Sequence, residues 1–131
     1  MGDRATICVK GNGSEVYLYT HWGGYRIKEI VANALSKRER WSDTTYLTRI
    51  IFDSMTELEG GTEGYGISSV PCEGLAITVN TDDKTVITEF KDISSQPAGA
   101  RTPWYSFDEF IEEFFVNPSR MFFWSNNIFR I

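Results

Sequence analysis

The chain holds one histidine and two cysteines, and no Cys-x-x-Cys or Cys/His spacing joins them. Ligands so few and so far apart exclude the usual zinc modules. No Walker A loop, His-x-Glu, His-Glu-x-x-His, Gly-x-Ser-x-Gly or EF-hand pattern occurs, which removes the common reasons to propose an enzyme. No run of about 18 apolar residues is present, so no spanning helix is expected. No leader of the secretory type is read either. The expected setting is therefore cytoplasmic, with Cys8 and Cys72 as reduced, mostly buried thiols. No metal or cofactor is expected.

Positive charge is also in deficit. Thirteen Lys and Arg stand against 18 Asp and Glu, giving a net charge of -5. Direct nucleic-acid binding needs clustered cations to replace counterions on phosphate, and an anionic membrane needs them too. Neither partner is expected. A basic protein surface is the kind of partner this charge permits.

What is abundant is aromatic carbon: four Trp, six Tyr and nine Phe in 131 residues. That is enough to fill a core and still leave rings for an interface. With 131 residues and no Gly/Pro/Ser-rich divider, residues 1–131 read as one domain, with 117–131 as an aromatic C-terminal extension.

Local patterns predict an α+β fold: two β-hairpins form a mainly antiparallel sheet, and three helices cover it. Arg4 to Lys10 and Val16 to Trp22 read as strands around the Gly11-Asn12-Gly13-Ser14 turn. Ala5, Ile7 and Val9 share one face, as do Val16 and Leu18; Tyr17, Tyr19 and His21 take the opposite face. After Gly23-Gly24, helical spacing of Ile27, Ile30, Val31, Ala34 and Leu35 predicts a helix to about Arg38, with Lys28, Glu29 and Asn33 facing away. Ser42 is the expected N-cap of a second helix, whose apolar face is Tyr46, Leu47, Ile50, Ile51 and Met55. Ile67 to Val70 reads as a short strand, and 75–80 with 85–90 as the second hairpin. Residues 94–103 read as a polar loop. Ser106 and Glu109 match a capping box, predicting a third helix to about Val116.

Three places bear chemistry. Thr20-His21-Trp22-Gly23-Gly24 lies at a strand-to-helix junction. His21, Trp22, Gly23 and Gly24 combine the one group that titrates near neutrality, a ring for stacking and backbone that a ligand can approach. A small nucleotide-like ligand fits that description, and so does a plain turn with a hydrogen-bonded histidine. No nucleophile or carboxylate partner for His21 is identifiable, so no catalytic residue is assigned. Lys37-Arg38-Glu39-Arg40-Trp41 reads as a phosphate or carboxylate contact, or as a solvated helix end.

Asp108, Glu109, Glu112 and Glu113 crowd the third helix, with like charges at i,i+4. They read as a contact for a basic partner, extended by Glu57, Glu59, Glu63, Asp82 and Asp83, or as an ordinary solvated face. Phe122, Phe123 and Trp124 lie in a segment too apolar for a free tail. That segment is expected to pack on the domain, on a second copy in a homo-oligomer, or on a partner.

The strings Asp3-Arg4-Ala5, Val16-Tyr-Leu-Tyr-Thr-His-Trp-Gly-Gly24, Arg40-Trp41, Tyr46-Leu47-x-Arg49-Ile50-Ile51-Phe52, Gly64-Tyr65-Gly66-Ile67-Ser68 and Trp104-Tyr105-Ser106-Phe107-x-Glu109-Phe110 carry a resemblance. The chain resembles a group of small uncharacterised bacteriophage and bacterial proteins over roughly residues 3 to 116. No catalytic residues come with it. The phage association implies a non-enzymatic protein-interaction module that inhibits a host or defence protein. A small-ligand binder or enzyme centred on His21 is one alternative, and a phage structural or assembly protein is another. The end beyond Pro118 looks like an extension of the group's pattern.

Overall fold

A computed structural model describes residues 4–59, 64–71, 74–88 and 104–115. It shows an α+β fold with one six-stranded, mostly antiparallel sheet and three α-helices. The strands are β1 (Ala5–Gly11), β2 (Ser14–Thr20), β3 (Tyr65–Ser68), β4 (Leu75–Asn80), β5 (Thr85–Thr88) and β6 (Trp104–Ser106). The helices are α1 (Ile27–Leu35), α2 (Thr44–Glu59) and α3 (Phe107–Phe114). Strand order is β3-β2-β1-β4-β5-β6.

Both expected hairpins form. The β1–β2 hairpin closes on the pair Gly11 and Ser14. Asn12 and Gly13 both have positive φ, 53° and 80°, the conformation that matches a two-residue turn to the strand twist. The hairpins are joined by β1 and β4, which pair in parallel with Lys10 beside Asn80. A parallel pair needs a long crossover, and α1, α2 and β3 all lie within it.

The core lies between the sheet and the helices. Ile7, Val9, Leu18, Ile77, Val79 and Val86 meet Ile30, Val31, Leu35, Leu47, Ile51, Met55, Phe107 and Phe110, all essentially inaccessible to solvent. Val16 is half-buried against this cluster rather than inside it. α1 touches both α2 and α3, so its burial wraps most of the helix. Asn33, expected to face away, is only 9% exposed for that reason.

Several boundaries differ from expectation. β2 ends at Thr20 rather than Trp22, and the Thr20 hydroxyl accepts the Gly23 N–H at 3.0 Å. α1 is preceded by one 3-10 turn, Gly24–Arg26, and ends at Leu35. Arg38 and Arg40 beyond it have φ of 57° and 59°, which a helix does not permit. The α2 cap is Asp43, whose carboxylate accepts the Tyr46 N–H at 3.2 Å; Ser42 stands one residue too early. Tyr46 is half exposed and does not join the α2 core face. The Ser106–Glu109 capping box is present in both directions. β6 leaves no signal in the sequence pattern, because three residues are too few to show a period.

The face of the sheet opposite the core carries a polar ladder. Adjacent strands place Tyr17, Cys8 and Thr78 in one row and Glu15, Lys10 and Asn80 in the next. The Tyr17 hydroxyl donates to Glu15 Oε1 at 2.9 Å. That bond exists only while the phenol keeps its proton, so Tyr17 is pushed up from 10.0 to about 12. Burial pushes the Cys8 thiol up as well, with the Tyr17 hydrogen bond opposing it. The fold therefore favours protonated Tyr17, and this stabilisation is complete below pH 10 and lost as pH rises through about 12. A phenolate absorbance titration should resolve one late tyrosine. Its signal disappears in Tyr17→Phe and moves back toward 10.0 in Glu15→Gln, which keeps a weaker acceptor. An unchanged late titration in Glu15→Gln refutes the assigned cause.

Candidate functional site

The β2–α1 junction is built from a period-two strand that stops abruptly. Tyr19 and His21 emerge on the same side, and the Tyr19 hydroxyl lies 3.1 Å from His21 Nδ1. Either tautomer of the imidazole can make that hydrogen bond. The His21 backbone N–H donates to the Gly64 carbonyl at 2.7 Å, continuing the β2–β3 ladder one step beyond the strands. The indole of Trp22 meets the imidazole edge-on, centroids 4.2 Å apart and planes at 78°.

Gly64 makes this arrangement possible. Its φ is +90°, and a Cβ there would stand 2.7 Å from Trp22 Nε1. Only glycine combines that backbone with that closeness. Trp22 is thus held between His21 and Gly64 while 51% of its surface stays exposed. Tyr25, in the following 3-10 turn, is 73% exposed. Arg26 is tied back by Glu29 at 3.3 Å.

The residues His21, Trp22, Gly23 and Gly24 do share one junction, but their roles divide. Gly23 is buried, its N–H goes to Thr20 and its carbonyl accepts the Arg26 N–H at 3.0 Å. It is a turn residue with its backbone groups committed. His21 and Trp22 form the surface, together with Tyr19 and Tyr25. The sequence pattern already placed Tyr19 on the His21 face; Tyr25 and Gly64 carried no such signal. Beyond Tyr19, no described side chain hydrogen-bonds the imidazole, and among the described residues no carboxylate or nucleophile completes a catalytic set around it. Among the described residues no group of three His, Cys, Asp or Glu is placed to hold a metal ion.

All four acids of α3 are exposed, as the solvated-face and partner-contact readings both require. Two have internal work. Asp108 accepts from Arg38 across 2.8 Å, and the Glu109 side chain accepts the Ser106 N–H at 2.9 Å. Among the described residues Glu112 and Glu113 have no ion-pair or hydrogen-bond partner. The turn bearing Asp82 and Asp83 abuts the start of α3, where the Phe107 N–H donates to the Lys84 carbonyl at 3.1 Å. These residues therefore add to the same acidic end. Glu63 lies outside the described residues, as do Phe122, Phe123, Trp124 and Cys72. Cys8 is a buried free thiol.

The basic stretch is tied into the fold. Arg38 stacks over Trp41 at 5.1 Å and Arg40 over Tyr46 at 4.3 Å. Trp41 donates its indole N–H to the Leu35 carbonyl at 3.0 Å and meets Phe107 edge-on. No described helix is long and apolar enough to cross a membrane.

No family model matches this chain, and no curated protein or solved structure shows significant similarity to it.

Proposed function

We propose that this protein acts by binding another protein, one with a basic face, and not by catalysis. The observation that carries the reading is Trp22: half exposed, yet packed edge-on against His21 and close over Gly64. An exposed indole that already packs against neighbours on one side has less freedom to lose on binding, which suits an interface anchor. His21 packs on it and Tyr19 packs on His21, and the exposed Tyr25 follows three residues on, all rings that also carry polar atoms. The acids of α3 and the Asp82–Asp83 turn supply the field that draws a cationic partner in. The resemblance to bacteriophage proteins makes a bacterial host or defence protein the target class.

The two contributions separate kinetically. A tagged protein is used to capture its partner from bacterial lysate, the partner is identified by mass spectrometry, and binding is then measured with purified components. Trp22→Ala is expected to weaken affinity at least ~10-fold, mainly through faster dissociation. Neutralising Asp108, Glu109, Glu112 and Glu113 together is expected to slow association and flatten its salt dependence. Full binding by the Trp22 variant, with an unchanged melting temperature, rules out the rim. Loss in the acid variant alone would move the interface to α3.

A further inference from the structure

Away from the aromatic rim, an open cleft of about 490 Å³ lies at the end of the sheet, on the polar ladder face. Its volume is in the range of small-ligand sites. Three neighbouring strands line it with one row of side chains: Glu15 on β2, Lys10 on β1 and Asn80 on β4. Asp82, just past β4, and Ser14 and Ser69 complete the polar wall.

The hydrogen-bond inventory of this row is uneven. Glu15 Oε1 already accepts from Tyr17. Both oxygens of Asp82 face the Asn12 N–H, at 3.0 and 3.2 Å. Asn80 Oδ1 accepts the N–H groups of Asp82 and Asp83, at 2.9 and 3.0 Å. That fixes the orientation of the Asn80 amide and, among the described residues, leaves its NH₂ unused. Lys10 is half-buried, and among the described residues its ammonium has no ion-pair or hydrogen-bond partner. A half-buried cation between a carboxylate and an amide, with no partner of its own, invites an external acceptor.

Charge sets the rest. One cation and two carboxylates line the cleft, so a phosphate-like dianion meets repulsion and a simple cation meets Lys10. The lining offers neither an aromatic nor an aliphatic wall, so a nucleobase has nothing to stack on. One small chemistry answers both signs. We propose that this cleft binds a zwitterion of the amino-acid type, its carboxylate on Lys10 and the Asn80 amide, its ammonium on Glu15 and Asp82. The proposal stands independently of the Trp22 rim.

The test titrates the common amino acids singly into the full chain, followed by amide chemical shifts and calorimetry. At least one should bind saturably, with the largest shifts at Lys10, Ser14, Asn80 and Asp82. Its N-acetyl and C-terminal amide derivatives each remove one charge and should bind at least ~10-fold more weakly. Lys10→Met should lose the parent ligand to the same extent at an unchanged melting temperature. Glu15→Gln should weaken the parent but not the N-acetyl form. Absence of saturable binding across the set overturns the proposal. So does binding that survives capping of either charge, or that perturbs a different surface.

Discussion

Gly11→Ala is expected to destabilise the protein by about 3 kcal/mol. A Cβ at Gly11 would lie well inside contact distance of Thr81 Oγ1 and 2.9 Å from Thr44 Oγ1. Both hydroxyls belong to buried residues and bond each other at 2.8 Å. Thr81 also donates to the Lys10 carbonyl. The added methyl cannot be accommodated by a flexible side chain, because Thr81 is fixed on both its own strand end and β1. Overpacking and a stranded buried hydroxyl each cost roughly 1–3 kcal/mol. Gly13→Ala is the control: its Cβ meets open space, and only its φ of +80° is violated, a penalty of about 1 kcal/mol. Urea denaturation of the two variants should separate them clearly. Equal losses would show that backbone conformation alone, and not the packing of Thr44 against Thr81, governs this corner.

Phe110→Ala is expected to cost about 3–5 kcal/mol. The ring is fully buried and meets Tyr105 at 5.4 Å and Phe114 at 4.7 Å between centroids. α3 has eight residues, far too few to persist without its packing face. Its cap at Ser106 and the stack of Lys28 over Phe114 at 5.0 Å are surface features and do not substitute for the core anchor. Amide exchange should therefore accelerate along α3 beyond the global loss of stability. Asp108→Ala supplies the comparison. Its ion pair with Arg38 joins two side chains more than half exposed, so a change of only ~0–1 kcal/mol is expected. A Phe110 variant no less stable than the Asp108 variant contradicts the assigned core.

Local grammar carried most of the architecture. The Asn12-Gly13 turn, the Ser106–Glu109 box and the alternation of Ala5, Ile7 and Val9 each announce their element within a few residues. What escaped was set over long range or by exception. The end of α1 is marked by two arginines with positive φ rather than by glycine, and no local rule signals that. β6 exists because β5 offers it an edge. The acids of α3 were legible as a charged face, but the pairing of Asp108 with Arg38 depends on α1 and α3 meeting in space. The junction was legible in part: a two-residue period puts Tyr19 beside His21, whereas the clamp on Trp22 comes from Gly64 across the β2–β3 ladder. The Glu15–Lys10–Asn80 row joins the β1–β2 hairpin to β4, which lies far along the chain, so no motif search along the sequence finds it.

The parallel pairing of β1 with β4 has a consequence for how the chain is made. β1 leaves the ribosome well before β4, yet it sits in the middle of the sheet between β2 and β4; the Thr81 hydroxyl that reaches back to Lys10 is 71 positions away. Until that distant strand emerges, the nascent β1–β2 hairpin has an open apolar edge along Ile7 and Val9. Such an edge is prone to wrong pairing during synthesis. α1 and α2 precede β4 in the chain and pack on the face that carries these side chains, whereas the backbone edge of β1 is closed only by β4.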